Sequence, residues 1–223
     1  MKKIIEITGF LMLGYLLSAI GILMAVKANI GLGPWDALHV GIIMHTPLTL
    51  GSVNTLVGVA LVVISTLMGE KPGWGTLTAM FLVGVMIDMV DRLNIIPMAQ
   101  NFVVGLIMLN GGLFFLALGT YFYLKVQLGA GPRDGLMVVL VKRTGRSVRT
   151  IRTIIEAIAL VIGFLLGAPL GIGTIIYAFG IGPVVQWVFE RFQFDTKEVV
   201  HRSIEDDYLL ILNRKRSKDM NGQ

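Results

Sequence analysis

Apolar residues recur along this chain in long blocks, not with the period of a half-buried helix or strand. Ile4 to Val26 holds one charge, Glu6, near its start; Leu48 to Met68 and Phe102 to Leu124 hold none; Ile154 to Leu170 holds one, Glu156. A helix needs about 20 apolar residues to cross the hydrocarbon core of a bilayer. One that is apolar on every side has no face meant for water. The pattern predicts an all-α polytopic membrane protein with spans over 4–26, 48–68, 74–93, 102–124, 149–168 and 172–190. Between spans lie two shorter apolar stretches, Pro34 to Met44 and Pro132 to Val141. Each would cover about 15–17 Å as a helix, half a bilayer, so they read as short broken or re-entrant helices. Residues 193–223 differ in kind: a polar tail rich in both signs of charge, with one apolar patch from Tyr208 to Leu212.

The blocks repeat. Gly31-Leu-Gly-Pro-Trp-Asp-Ala-Leu38 matches Gly129-Ala-Gly-Pro-Arg-Asp-Gly-Leu136 at an offset of 98 residues (129 − 31). The same offset aligns Gly14 with Gly112, Gly21 with Gly119, Lys27 with Lys125, Gly73 with Gly171, Gly75 with Gly173, Thr76 with Thr174 and Gly84 with Gly182. Shared hydrophobicity does not place glycines, a proline, a lysine and an aspartate in one gapless register. The chain therefore divides into a first membrane repeat, 1–98, a second, 99–192, and the tail. Three crossings per half is an odd number, which turns the second half upside down relative to the first, the inverted plan of many small transporters.

Charge placement fits that plan. Of 223 residues 15% are charged, against about 25% in soluble domains. With the N-terminus cytoplasmic, Lys2 and Lys3, the loop bearing Arg133, Lys142, Arg143, Arg146, Arg149 and Arg152, and the tail with Arg214-Lys215-Arg216 all fall on the cytoplasmic side, as positive-inside topology requires. If the two short stretches cross instead, there are eight spans and parallel halves; their length argues against that version. The basic residues read as topology signals, not as a nucleic-acid footprint.

The G-x-G-P-x-D segments are the candidate site. Proline suits the first position of a helix, where its missing N–H costs nothing. An aspartate two residues on meets the positive end of the helix dipole. Gly33, Pro34 and Asp36, and Gly131, Pro132 and Asp134, thus each read as a loop that starts a helix. Capping alone accounts for these residues; the functional alternative is two broken segments meeting at the repeat interface to line a solute site. Trp35 aligns with Arg133, an arginine that reads either as a substrate-anion contact or as a structural ion pair with Asp36 or Asp134, the ion pair being the expectation. His39 shares a helical face with Asp36, and its counterpart is Met137. Elsewhere, Glu156 could pair with Arg149, Arg152 or Thr153, the i,i+4 pair with Arg152 being the plain reading, and Lys27 and Lys125 are expected to snorkel.

At these residues the chain resembles the bacterial YczE/YyaS/YitT-type membrane proteins, the YczE-like branch most of all. The carriers are Gly31-Leu-Gly-Pro-Trp-Asp-Ala-Leu38 and the turn Met68-Gly-Glu-Lys-Pro-Gly-Trp-Gly-Thr76, and the resemblance covers about residues 1–192. It implies a multi-pass protein of the bacterial cytoplasmic membrane and no particular substrate.

Cysteine is absent, which removes thiol chemistry and Cys-metal sites. No catalytic or cofactor fingerprint is present, so neither an enzyme nor a cofactor is expected. The expected partners are the lipid bilayer and a small solute; a chain this small also suits a homodimer. The leading expectation is a small-solute transporter. The other is a scaffold or regulator acting through its basic loop and tail, which removal of residues 195–223 would disable.

Overall fold

The computed structural model describes residues 2–129 and 131–194; the predicted tail lies almost wholly outside the described residues. Eight helices follow one another: α1 (Lys2–Lys27), α2 (Pro34–Ile43), α3 (Leu50–Leu67), α4 (Trp74–Arg92), α5 (Phe102–Lys125), α6 (Pro132–Thr144), α7 (Val148–Leu165) and α8 (Ile172–Arg191). Their starts follow local chemistry. Thr49, Asn101 and Ser147 each accept a backbone N–H from three residues on at α3, α5 and α7, satisfying donors that a helix start leaves free. Thr76 and Thr174 accept the N–H of Gly73 and Gly171 at the starts of α4 and α8.

Five helices are long and apolar enough to cross a membrane: α1 from Ile5, α3, α4, α5 and α8. The expected span over 149–168 differs. Its helix, α7, ends at Leu165 and carries Arg149, Arg152 and Glu156 in its first half, so only its second half is continuously apolar. The two short stretches form α2 and α6, with 10 and 13 residues. Large apolar side chains face outward, among them Leu67 at 81%, Phe179 at 78% and Leu165 at 76% exposure. An apolar exterior of this extent requires a non-aqueous surrounding.

The centre is the pairing of α1 with α5. Gly14 faces Gly119, Gly21 faces Gly112, and Ala28 faces Gly105, so the two helices run antiparallel. A Cβ on Gly21 would stand 2.7 Å from the carbonyl oxygen of Gly112, and one on Gly112 2.8 Å from that of Gly21. Small residues let backbones approach this closely where burial of apolar surface gives little drive between helices. Helix α4 packs on α1 and α8 on α5, while α2 packs on α7 and α6 on α3.

Some positions 98 residues apart make matching contacts. The Gly75 N–H donates to the Leu128 carbonyl at 2.7 Å, and the Gly173 N–H to the Ile30 carbonyl at 2.8 Å. Gly31 and Gly129 both adopt left-handed φ, 119° and 131°, a conformation that an L side chain strains to reach. Each lies against the start of a long helix of the other half, Gly31 on Gly171 and Gly129 on Gly73.

Candidate functional site

The two G-x-G-P-x-D loops follow the ends of α1 and α5 and lead into α2 and α6. Gly33 lies against the ring of Tyr177, which clusters with Ala25 and Ala28 at the end of α1 and with Leu109 and Leu113 in the first half of α5. Pro132 lies against Gly58, halfway along α3. Helices α2 and α6 therefore begin inside the bundle, with Pro34 and Pro132 at their first positions. They meet there: the Arg133 guanidinium carbon stands 4.6 Å from the centroid of the Trp35 ring. These are the repeat-equivalent positions of the two halves.

Between this meeting point and the α1–α5 pair lies a cavity of about 530 Å³. Every helix contributes to its wall. The polar lining includes Tyr15 and Ser18 from α1, Trp35 and His39 from α2, Asn54 from α3, Thr120 and Tyr123 from α5, Arg133 and Asp134 from α6, Arg152 and Glu156 from α7, and Tyr177 from α8. The volume suits a small organic molecule, for which pockets run about 300–1,000 Å³.

Of the eight residues singled out in sequence, Pro34, His39, Gly131, Pro132, Arg133 and Asp134 line the cavity; Gly33 and Asp36 do not. Asp36 is 2% and His39 1% exposed, and Asp36 Oδ2 and both His39 ring nitrogens have no hydrogen-bond partner. A buried polar group without a partner costs about 1–3 kcal/mol, and such groups in a membrane helix mark functional positions. Asp134 accepts a hydrogen bond from the Tyr123 hydroxyl at 3.3 Å.

Several side-chain expectations are revised. Arg133 forms no ion pair with Asp36 or Asp134 among the described residues; its guanidinium lies over the Trp35 ring instead, where the starts of α2 and α6 meet. Lys27 pairs with Asp91 at 2.6 Å instead of snorkelling, since α4 ends beside α1. Lys125 lies over the Phe10 ring at 4.9 Å. Asp88 accepts the Gly51 N–H at 2.9 Å and the Thr49 hydroxyl at 2.6 Å, tying the end of α4 to the start of α3. The expected Arg152–Glu156 pair is present at 3.0 Å. Tyr15, Tyr123 and Tyr177 escaped the sequence reading. A lone tyrosine inside an apolar span has no periodic signature, and only the rule that a buried phenol seeks a polar partner would have raised them.

The relatives of this chain are bacterial. It is 31% identical to the uncharacterized membrane protein YczE of Bacillus subtilis (strain 168) over 180 residues, 80% of this chain and 83% of that protein. It is 32% identical to an uncharacterized protein of Haemophilus influenzae (strain ATCC 51907 / DSM 11121 / KW20 / Rd), covering 73% of each. It is 30% identical to the uncharacterized protein YyaS of Bacillus subtilis, covering 74% of this chain and 83% of that one. No solved structure matches. The apolar exterior and the spanning helices make the chain a multi-pass membrane protein. It belongs to the family of unknown function DUF6198, whose model matches residues 5–190.

Proposed function

We propose that this protein carries a small solute across the cytoplasmic membrane through two inverted halves that share one cavity. The observation that carries the reading is the meeting of α2 and α6, the two broken helices, at the cavity wall, with the repeat-equivalent Trp35 and Arg133 in contact. Half-helix starts near the middle of a bilayer, at the interface between inverted repeats, are where secondary transporters hold their substrates. The antiparallel packing of α1 on α5 supports inversion, since these are the equivalent spans of the two halves.

Two further contacts fit a carrier that opens alternately. At one end of the bundle His45 Nε2 donates to the Leu166 carbonyl at 3.0 Å. At the other, Arg143 Nη2 donates to the Met68 carbonyl at 3.1 Å. Both positions stand at the 98-residue offset: His45 with Arg143, Met68 with Leu166. Each bond ties the far end of a short helix to the last turn of a long helix of the other half. Lys142 reinforces the second through Glu70 at 3.1 Å. In the positive-inside orientation the Arg143 latch is cytoplasmic and the His45 latch external.

A single cysteine at Val57, which lines the cavity, tests the reading in a chain that has none of its own. In oriented membranes Val57→Cys is expected to react with a membrane-impermeant maleimide from either side. Reaction from one side alone, or from neither, contradicts alternating access.

A further inference from the structure

Four charged side chains line the cavity, and three already have partners. Glu156 accepts from Arg152 at 3.0 Å, and Asp134 accepts from Tyr123 at 3.3 Å. Arg133 makes no hydrogen bond or ion pair among the described residues. Its guanidinium carbon lies over the Trp35 ring, 4.6 Å from the centroid, and its N–H fork, the part that recognises carboxylates, stays free of hydrogen bonds among the described residues. Arginine stays charged at any depth, and a cation inside a membrane bundle with no direct ion pair is costly, although Asp36 lies within electrostatic reach of Arg133. Two helix starts, at Pro34 and Pro132, open on the same cavity and add positive potential. His39 supplies an independent pointer to a ligand: it lines the cavity, is 1% exposed, and has no partner at either ring nitrogen.

Resting on the reading of this cavity as a solute site, we infer that Arg133 binds the head of a small organic monoanion, a carboxylate, whose apolar body lies along the cavity wall. Ile22, Val57, Leu61, Met80, Leu116 and Ile181 supply that wall. The contact with the Trp35 indole restrains the guanidinium, so less side-chain freedom is lost when the carboxylate docks. His39 donates one N–H toward the same head group. Asp36 does not line the cavity and is not a ligand.

The experiment is a titration of the purified full-length protein in detergent, carrying Trp74→Phe and Trp187→Phe so that Trp35 is the one tryptophan left of the three. Sodium hexanoate is the probe, with hexan-1-ol and hexylamine as neutral and cationic controls at equal ionic strength. Saturable quenching by hexanoate alone is expected. Arg133→Gln is expected to weaken it by roughly tenfold or more, the worth of a charge-assisted hydrogen bond. Where Arg133→Gln gives no folded protein, Arg133→Lys carries the test: it keeps the charge, loses the fork, and is expected to bind more weakly than wild type. Equal responses to hexanoate and hexanol, or no change on substituting Arg133, overturns the assignment. Binding needs no transport, so hexanoate binding in a protein whose cavity opens to one side only keeps the ligand class and removes the transport reading. Two-sided access with no Arg133-dependent binding removes the ligand class alone.

Discussion

At the residue scale, the glycines between α1 and α5 set how closely the halves meet. Replacing Gly21 by alanine puts a Cβ 2.7 Å from the Gly112 carbonyl oxygen, which is backbone and cannot swing aside. Overpacking of this kind costs about 1–3 kcal/mol, so Gly21→Ala is expected to unfold at a lower temperature in detergent. Gly9→Ala serves as the control, since nothing lies within 4 Å of a Cβ there; equal behaviour of the two variants would contradict the account of the interface. These glycines were legible in the sequence as a register at fixed offset, though not as a contact pair. The Arg133–Trp35 stack was not legible. The offset aligned the two residues, but nothing in the sequence says that aligned residues touch; that depends on where the fold brings the starts of the two short helices. The unpartnered state of Asp36 and His39 was beyond reach for a related reason. Whether a polar group finds a partner depends on what the rest of the fold brings to it.

At the scale of elements, the order of long and short helices followed from block length alone, and the observed bounds of α2 and α6 lie within a few residues of the apolar stretches that predicted them. The charge-rich start of α7 was the exception. Arg149 and Arg152 were visible, yet the apolar run after them reads as a full span unless the charges are counted against it. The latches were invisible as well, because each depends on the carbonyl of a helix-ending residue in the other half. They give a sharp expectation. Arg143→Ala with Lys142→Ala removes both side-chain ties at one end and leaves the His45 tie at the other. In a Val57→Cys background, this double substitution is expected to raise the labelling rate from the Arg143 side severalfold and lower it from the His45 side, since bonds worth about 0.5–1.5 kcal/mol each bias a two-state opening. A rise of equal size from both sides would mean general loosening instead of a latch.

At the scale of the whole molecule, the claim is that two equivalent halves sit upside down relative to each other around one cavity. The physical logic is economical. In the proposed arrangement, one unit with a half-helix, duplicated and inverted, would supply two helix starts to one central site and one latch to each face. The asymmetry between copies then carries the chemistry: Arg133 opposite Trp35, His39 where the other half has Met137, Arg152 where the other half has Asn54. Thr46 and Thr144 test this most directly. They are equivalent at the 98-residue offset, stand just past α2 and at the end of α6, and donate alike to the carbonyl four residues before, at 2.9 and 2.7 Å. Single cysteines at each, probed with an impermeant reagent in right-side-out and inverted membrane vesicles, report on which side each end lies. The account predicts that position 46 labels from outside only and position 144 from the cytoplasmic side only. Labelling of both from one side would mean that the halves are parallel, and the shared-cavity account would fall.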